Sequence, residues 1–293
     1  MAGLPLVVGY NGKPHSREAL MWAAAEAARR DMSLLVVYAA NYPGMTLPPG
    51  PGLLDPDPLA LEAPRETTLR GVSEAQDAQP GLHVTGTTEV TSPSEALIEQ
   101  SSRATMLVIG TRGRGPVSGA LLGSVAFAVA ARAECTVVVV KGKATGLERR
   151  IVVGTDGSGA AMAAVDFAAD RAAAASAELE VVTSTGEHPA ANVDATELRA
   201  SAQLIAESAV ERLRDNHPNL TVTTRVEDCP AERTLVDASA DADLVVVGTR
   251  GRGAFKGLLL GSVSHAVIHG ARCHVAVVED FAARADPGLG TGR

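Results

Sequence analysis

The sequence predicts an α/β fold written twice, each copy a five-stranded parallel sheet covered by helices. Three observations predict it. The first is an internal repeat. Val108 to Val140 (VIGTRGRGPVSGALLGSVAFAVAARAECTVVVV) matches Val246 to Val278 (VVGTRGRGAFKGLLLGSVSHAVIHGARCHVAVV) at about 20 of 33 positions, with a constant offset of 138. Leu6 to Gly12 (LVVGYNG) likewise matches Ile151 to Gly157 (IVVGTDG) at an offset of 145. A period near 140 is domain-sized, which makes it a tandem duplication and not a solenoid. Two domains also suit 293 residues at roughly 100–200 per domain. The second observation is that short apolar runs alternate with segments of helical spacing in both copies, the pattern of a parallel sheet with helices on both faces. The third is composition: 46% of residues are hydrophobic but only 3% are aromatic. Cores made of Ala, Val, Leu and Ile suit helices layered on short buried strands.

The elements follow in order. Leu6–Gly9 is a buried strand, and Ser16 to Arg30 places Ala19, Leu20, Ala23 and Ala27 on one helical face, with Trp22 at a core or half-buried position. Leu34–Tyr38 is the second strand. Asn41 to Pro64 holds seven prolines and is read as irregular, either a lid over a site or a solvent-exposed insertion. Arg65–Gln79 is a weaker helix, His83–Val90 a strand of mixed polarity near an edge, and Pro93–Ala104 a helix opened by its proline. Met106–Ile109, a helix from Ser124 to Ala133, and Thr136–Val140 complete the first copy. The second repeats the order with strands at Ile151–Val153, Leu179–Thr183, Thr221–Val226, Leu244–Val247 and Val275–Val278. The expected domains are 1–142 and 150–281, with a linker at 143–149 and a loose tail at 282–293.

Charge and cysteine usage exclude several classes. Twenty-six basic against 34 acidic residues give a net charge of −8, without a long basic stretch for binding duplex phosphates. The longest apolar stretch, Ala120 to Ala131, is shorter than the roughly 18 residues of a membrane-spanning helix. The N-terminal segment lacks the basic start of an export signal. Cys135, Cys229 and Cys273 are odd in number and far apart, which fits a reducing cytoplasm better than a disulfide framework.

The chemistry-bearing feature is a glycine motif after the fourth strand of each copy. Gly110 begins GTRGRGPVSGALLGS and Gly248 begins GTRGRGAFKGLLLGS, so each has Gly, two residues, Gly, nine residues, then Gly-Ser. Such a loop wraps a polyphosphate with backbone donors, and Ser124 and Ser262 stand where the caps of the following helices are expected. It is not a P-loop, since the G-x-x-x-x-G-K-[ST] pattern does not occur, and its spacing is not that of a dinucleotide fingerprint.

With both motifs in place, the chain resembles tandem universal stress proteins of the ATP-binding type, with the Ala and Arg usage of actinobacterial, mycobacterial-like members. The resemblance covers nearly the whole chain. It implies a doubly wound sheet of the adenine-nucleotide α-hydrolase kind, in which the first and fourth strands are neighbours and the ligand sits at the switch point between them. It implies that ATP phosphates and ribose are held by Gly110, Thr111, Arg112, Gly113, Arg114, Gly115, Gly123, Ser124 and Val125 in the first copy. In the second copy the corresponding residues are Gly248, Thr249, Arg250, Gly251, Arg252, Gly253, Gly261, Ser262 and Val263. The nucleoside end falls to Gly9 and Asn11 in one copy, and to Gly154, Thr155 and Asp156 in the other. It also implies pairing of family members through their last strands, hence an internal pseudo-dimer and a homodimer. Mg²⁺ is expected to accompany the triphosphate without a dedicated protein site.

The copies differ at Asn11, which stands where the second has Asp156, and at Lys13, which stands where it has Ser158. An amide offers one acceptor oxygen to a ribose where a carboxylate offers two. One lost bond costs roughly 0.5–1.5 kcal/mol, up to about tenfold in affinity. The second copy is therefore expected to bind more tightly. Lys13 either reaches a phosphate or is solvated, and the motif arginines either neutralise phosphate or lie in a solvated loop. His265 and His269 resemble a zinc-protease pair, but Ala266 replaces the necessary glutamate, so they read as ordinary helix positions. Cys135 and Cys273 read as core.

Neither copy shows a repeated Ser–His–Asp set, carboxylate dyad or histidine cluster, so binding is favoured over fast hydrolysis. The expected function is nucleotide-dependent stress regulation with slow or no hydrolysis. Two alternatives are a partner-binding module with little nucleotide affinity and an ATP-using enzyme of the related α/β group.

Overall fold

A computed structural model describes residues 3–40, 61–111, 122–142, 148–186, 194–251 and 260–280. The chain divides into two compact units, Met1–Gly146 and Leu147–Arg293. The proline-rich segment 41–60, most of both glycine loops and the C-terminal tail lie outside the described residues.

Unit 1 runs β1 (Leu6–Gly9), α1 (Pro14–Arg29), β2 (Leu34–Ala39), α2 (Glu62–Ala78), β3 (Val84–Glu89), α3 (Pro93–Ser101), β4 (Met106–Gly110), α4 (Ser124–Arg132) and β5 (Thr136–Val140). Its strands lie in the order β3-β2-β1-β4-β5. Leu6 is the register partner of both Leu34 and Met106, so β1 is flanked by parallel strands on each side. Central strands are apolar on both faces because helices cover both: Leu6, Val7 and Val8 are fully buried, as are all five residues of β5. β3 (VTGTTE) is mostly exposed or half-buried, which suits its place at the edge.

Unit 2 repeats this plan with β6 (Arg150–Gly154), α5 (Gly159–Ala175), β7 (Glu178–Ser184), α6 (Ala195–Arg214), β8 (Val222–Glu227), α7 (Ala231–Ala238), β9 (Leu244–Gly248), α8 (Ser262–Gly270) and β10 (His274–Val278). Its order is β8-β7-β6-β9-β10, again parallel throughout, with Ile151 paired to both Leu179 and Leu244. In each unit the chain leaves its first strand towards one side and its fourth towards the other. A crevice at the carboxyl ends of those two strands is the consequence.

Several boundaries move from those the sequence predicts, each for a local reason. α1 begins at Pro14, two residues early, because proline's fixed φ suits the first helical turn. α2 begins at Glu62, so Pro64 lies inside its first turn, where a missing N–H costs nothing. The stretch from Asn41 to Pro64 is therefore not irregular to its end. α3 stops at Ser101, and residues 102–104 turn into β4. Its start is held by Ser92, whose Oγ accepts the Glu95 N–H at 3.3 Å while lying 2.8 Å from the Glu95 carboxylate.

Candidate functional site

The loop after the first strand has the same backbone in both units. Gly12 has φ +74° and Gly157 has φ +75°, a left-handed turn that glycine adopts without strain. In unit 2, Thr155 is buried and its Oγ accepts the Gly157 N–H at 3.1 Å. Asp156 Oδ1 accepts the Ser158 N–H at 2.9 Å, and Ser158 caps α5 by accepting the Ala161 N–H at 3.4 Å.

Unit 1 builds the same turn from other atoms. Lys13 holds the cap position of α1 but supplies no side-chain bond. Ser16, in the place of Ala161, supplies it instead: its Oγ lies 3.2 Å from both the Lys13 and Asn11 amide nitrogens and 2.8 Å from Asn11 Oδ1. Asn11 Oδ1 also accepts the Lys13 N–H at 3.1 Å. Its acceptor oxygen is thus turned inward. Tyr10, the counterpart of Thr155, is buried against Gly71 of α2. Burial holds its hydroxyl above the ordinary phenol range, with Arg70 pulling the other way and Glu74 adding to the rise.

The glycines that open each motif also serve packing. A methyl group on Gly248 would sit 2.7 Å from the Ala160 carbonyl carbon, in the first turn of α5. Gly110 meets the carbonyl of His15, the matched residue of α1, in the same way. These glycines let a helix start cross the end of a strand. Gly9 and Gly154 make room for leucines: a methyl there would lie 3.0 Å from Leu97 and 2.6 Å from Leu235.

Gly251 is different, because a methyl there would meet the Asp156 Oδ2. The first-strand loop and the glycine motif therefore converge in unit 2. Behind them, the Thr249 carbonyl accepts the Gly261 N–H at 2.9 Å just before α8. The Thr111 carbonyl does the same with Gly123 at 2.7 Å, and Ser264 Oγ lies 3.1 Å from the Thr249 oxygen.

The helix caps after both loops require a correction. Ser124 and Ser262 are the first helical residues; the caps are Gly123 (φ −69°, ψ 150°) and Gly261 (φ −73°, ψ 160°), and neither helix has a side-chain cap bond. The amides of the first turn, Ser124–Val125 and Ser262–Val263, thus begin helices whose N-terminal donors no side chain covers. Arg112, Gly113, Arg114, Gly115, Arg252 and Gly253 lie outside the described residues.

Arg250 takes a role beyond the two the sequence suggests. Its Nη2 is 3.8 Å from Glu279 Oε1, across the ends of β9 and β10. Glu279 is buried, and the neighbouring Asp280 carboxylate rests on Gly159 at the start of α5, a favourable place for a negative charge. Sequence reasoning missed Glu279, Asp280, Ser16 and Arg70. Aligning the ends of the last strands would have found the first two, since Lys141 and Gly142 occupy their places in unit 1.

His265 and His269 have ring centroids 4.7 Å apart, and no group of metal-ligating residues occurs among the described residues. Cys135 and Cys273 are buried, and burial pushes the Cys135 thiol up to about 12. No helix among the described residues is long and apolar enough to cross a membrane.

The chain is similar to known proteins over nearly its whole length. A universal stress protein of Mycobacterium tuberculosis is 35% identical over 283 residues, covering 93% of this chain and 96% of its own. A second from that organism is 30% identical, covering 95% and 97%. The solved structure of a universal stress protein from Archaeoglobus fulgidus shares the fold with a TM-score of 0.68 at 18% identity, covering 94% of this chain and 96% of its own. The universal stress protein family model matches residues 5–141 and again 148–279, and the chain belongs to that family as a tandem pair of its domains.

Proposed function

We propose that the chain is a nucleotide-binding regulatory protein that takes ATP, with its Mg²⁺, in each unit, and more tightly in unit 2. The observation that carries this reading is the Asp156 carboxylate lying against Gly251, in a corner that also fronts the uncapped start of α8. A carboxylate there suits ribose hydroxyls, while a glycine-lined backbone and unpaired helix amides suit phosphate. Asn11, with its oxygen already engaged at 2.8 and 3.1 Å, has less to offer a hydroxyl donor. That supports the ranking of the two units.

ATP supplies a charged, exchangeable reporter of cell state, and the chain's residues bind and orient it. Occupancy, not turnover, is the output we assign. A cytoplasmic homodimer is the assembly that goes with this role.

Titration of the nucleotide-free protein with ATP and Mg²⁺ by calorimetry tests the proposal. Asp156→Ala should weaken the tighter site about tenfold, and Asn11→Ala should change the weaker one less. Equal losses would remove the ranking. Absence of any heat in the unmodified protein would remove the function and favour a partner-binding module.

A further inference from the structure

Four matched positions around the nucleoside corner change charge between the units. Asn11, Lys13, Lys141 and Gly142 of unit 1 stand where Asp156, Ser158, Glu279 and Asp280 stand in unit 2. Two lysines in one corner thus replace three carboxylates in the other, on the same backbone. In unit 2 these carboxylates are in place around the site: Asp156 on Gly251, Glu279 facing Arg250, Asp280 on Gly159.

Unit 1 adds a third cation. Arg70 projects from α2 onto the turn, with an Nη 2.6 Å from where a methyl on Gly12 would stand, and Thr67 beside it at 3.3 Å. The Tyr10 hydroxyl interacts with both Arg70 and Glu74, and Glu74 pairs with Arg17 at 2.9 Å. Lys141 follows Val140, the register partner of Gly110, and Gly110 lies on the first turn of α1. Among the described residues Glu74 and Glu18 bring carboxylates near this turn, Glu18 lying 3.6 Å from His15. Against them stand the cations of Lys13, Arg17 and Arg70. Because Asn11 Oδ1 is held inside the turn, the amide's Nδ2 donor is what the exposed residue presents. Donors and cations have replaced acceptors.

We infer that unit 1 selects an adenine nucleotide carrying an additional phosphate on its 2′ or 3′ ribose oxygen, where unit 2 selects free 2′ and 3′ hydroxyls. This rests on the nucleotide-binding reading and assigns the two units different ligands. A ribose phosphate brings acceptor oxygens and negative charge to the place where Asn11, Lys13 and Arg70 offer donors. The same group in unit 2 meets Asp156 and is repelled.

Calorimetry on the full chain tests it, comparing ADP with adenosine 2′,5′- and 3′,5′-bisphosphates, which carry the same number of phosphoryl groups. In an Asp156→Ala background, at least one bisphosphate should bind about tenfold more tightly than ADP, with the preference shrinking as salt is raised. Lys13→Ser combined with Arg70→Ala should abolish that preference, and adding Asn11→Asp should reverse it. Circular dichroism of each variant confirms that it is folded. If ATP or ADP binds but neither bisphosphate binds better than ADP, this inference fails and the nucleotide reading stands. The inference also fails if the preference survives the Lys13/Arg70 double variant. If no adenine nucleotide binds the unmodified chain, both fall together.

Discussion

Gly248→Ala separates a glycine kept for packing from one kept for a ligand. The added methyl would lie 2.7 Å from the Ala160 carbonyl carbon, 2.8 Å from its oxygen and 3.0 Å from the Ala161 nitrogen. All three are backbone atoms in the first turn of a helix, so no side chain can rotate aside and α5 must shift as a body. Overpacking of this kind costs about 3 kcal/mol at the upper end of its usual range. Gly248 is not in the left-handed region, so alanine returns up to about 1 kcal/mol through the unfolded chain. The net loss should be about 2 kcal/mol. Gly110→Ala should behave alike in unit 1. Gly261→Ala meets only ordinary contacts, the nearest at 3.4 Å, and should cost less than about 1 kcal/mol as a poorer cap. Gly251→Ala pushes the flexible Asp156 side chain and should lower nucleotide affinity with little loss of stability. The assay is denaturant unfolding of nucleotide-free protein, fitted with a transition for each unit. If Gly248→Ala unfolds at the wild-type midpoint and loses only affinity, the packing explanation is wrong.

Four other perturbations test separate parts of the structure. Glu148 and Arg171 form a buried bidentate pair at 2.6 and 2.5 Å; Glu148→Ala should lower unfolding stability by about 3–5 kcal/mol. The exposed Arg17–Glu74 pair should contribute less than about 1 kcal/mol when Arg17 is changed to Ala. Ser92→Ala should cost about 1 kcal/mol in the same assay, since it removes the α3 cap. Burial lifts the Cys135 thiol from 9.0 to about 12, so the unfolded chain releases this proton first as pH rises. Its contribution is complete below pH 9.0 and declines towards about 12, by up to roughly 1.4 kcal/mol per pH unit. Unfolding midpoints across that window should therefore fall less steeply for Cys135→Ala.

What was legible in the sequence depended on how far apart the deciding residues lie. Thr136–Val140 is a strand from end to end as read, because an unbroken apolar run buried on both faces has few alternatives. The neighbouring of β1 with β4 is not in any local pattern and came through family resemblance. Helix starts were misplaced where one residue decides: a proline opened α1 early, and Gly123 and Gly261 took the caps from Ser124 and Ser262. At the site, Asn11 and Asp156 were visible because they sit in a repeated heptapeptide. Arg70 was not, since 58 residues and a sheet crossing separate it from the Gly12 it covers. Glu279 escaped for a related reason: its partner Arg250 lies on an adjacent strand end, and the motif drew attention to phosphate alone.

The substitutions at the unit 1 corner form a set, and that can be tested by rebuilding them in unit 2. Lys13 cannot accept a backbone N–H, so its arrival at the cap position removes what Ser158 supplies in unit 2. Ser16 restores a hydroxyl three residues on, and its Oγ donates to Asn11 Oδ1 at 2.8 Å. Ser158→Lys alone should therefore destabilise unit 2 by about 1 kcal/mol, the worth of a lost cap. Adding Ala161→Ser should recover most of that loss, even though Ala161→Ser alone places a hydroxyl at a buried site for little gain. Adding Asp156→Asn should complete the recovery. Unfolding midpoints of the single, double and triple variants measure the coupling directly. If the effects simply add, the residues of the unit 1 corner are independent, and its altered charge reflects drift at separate positions instead of one reorganised turn.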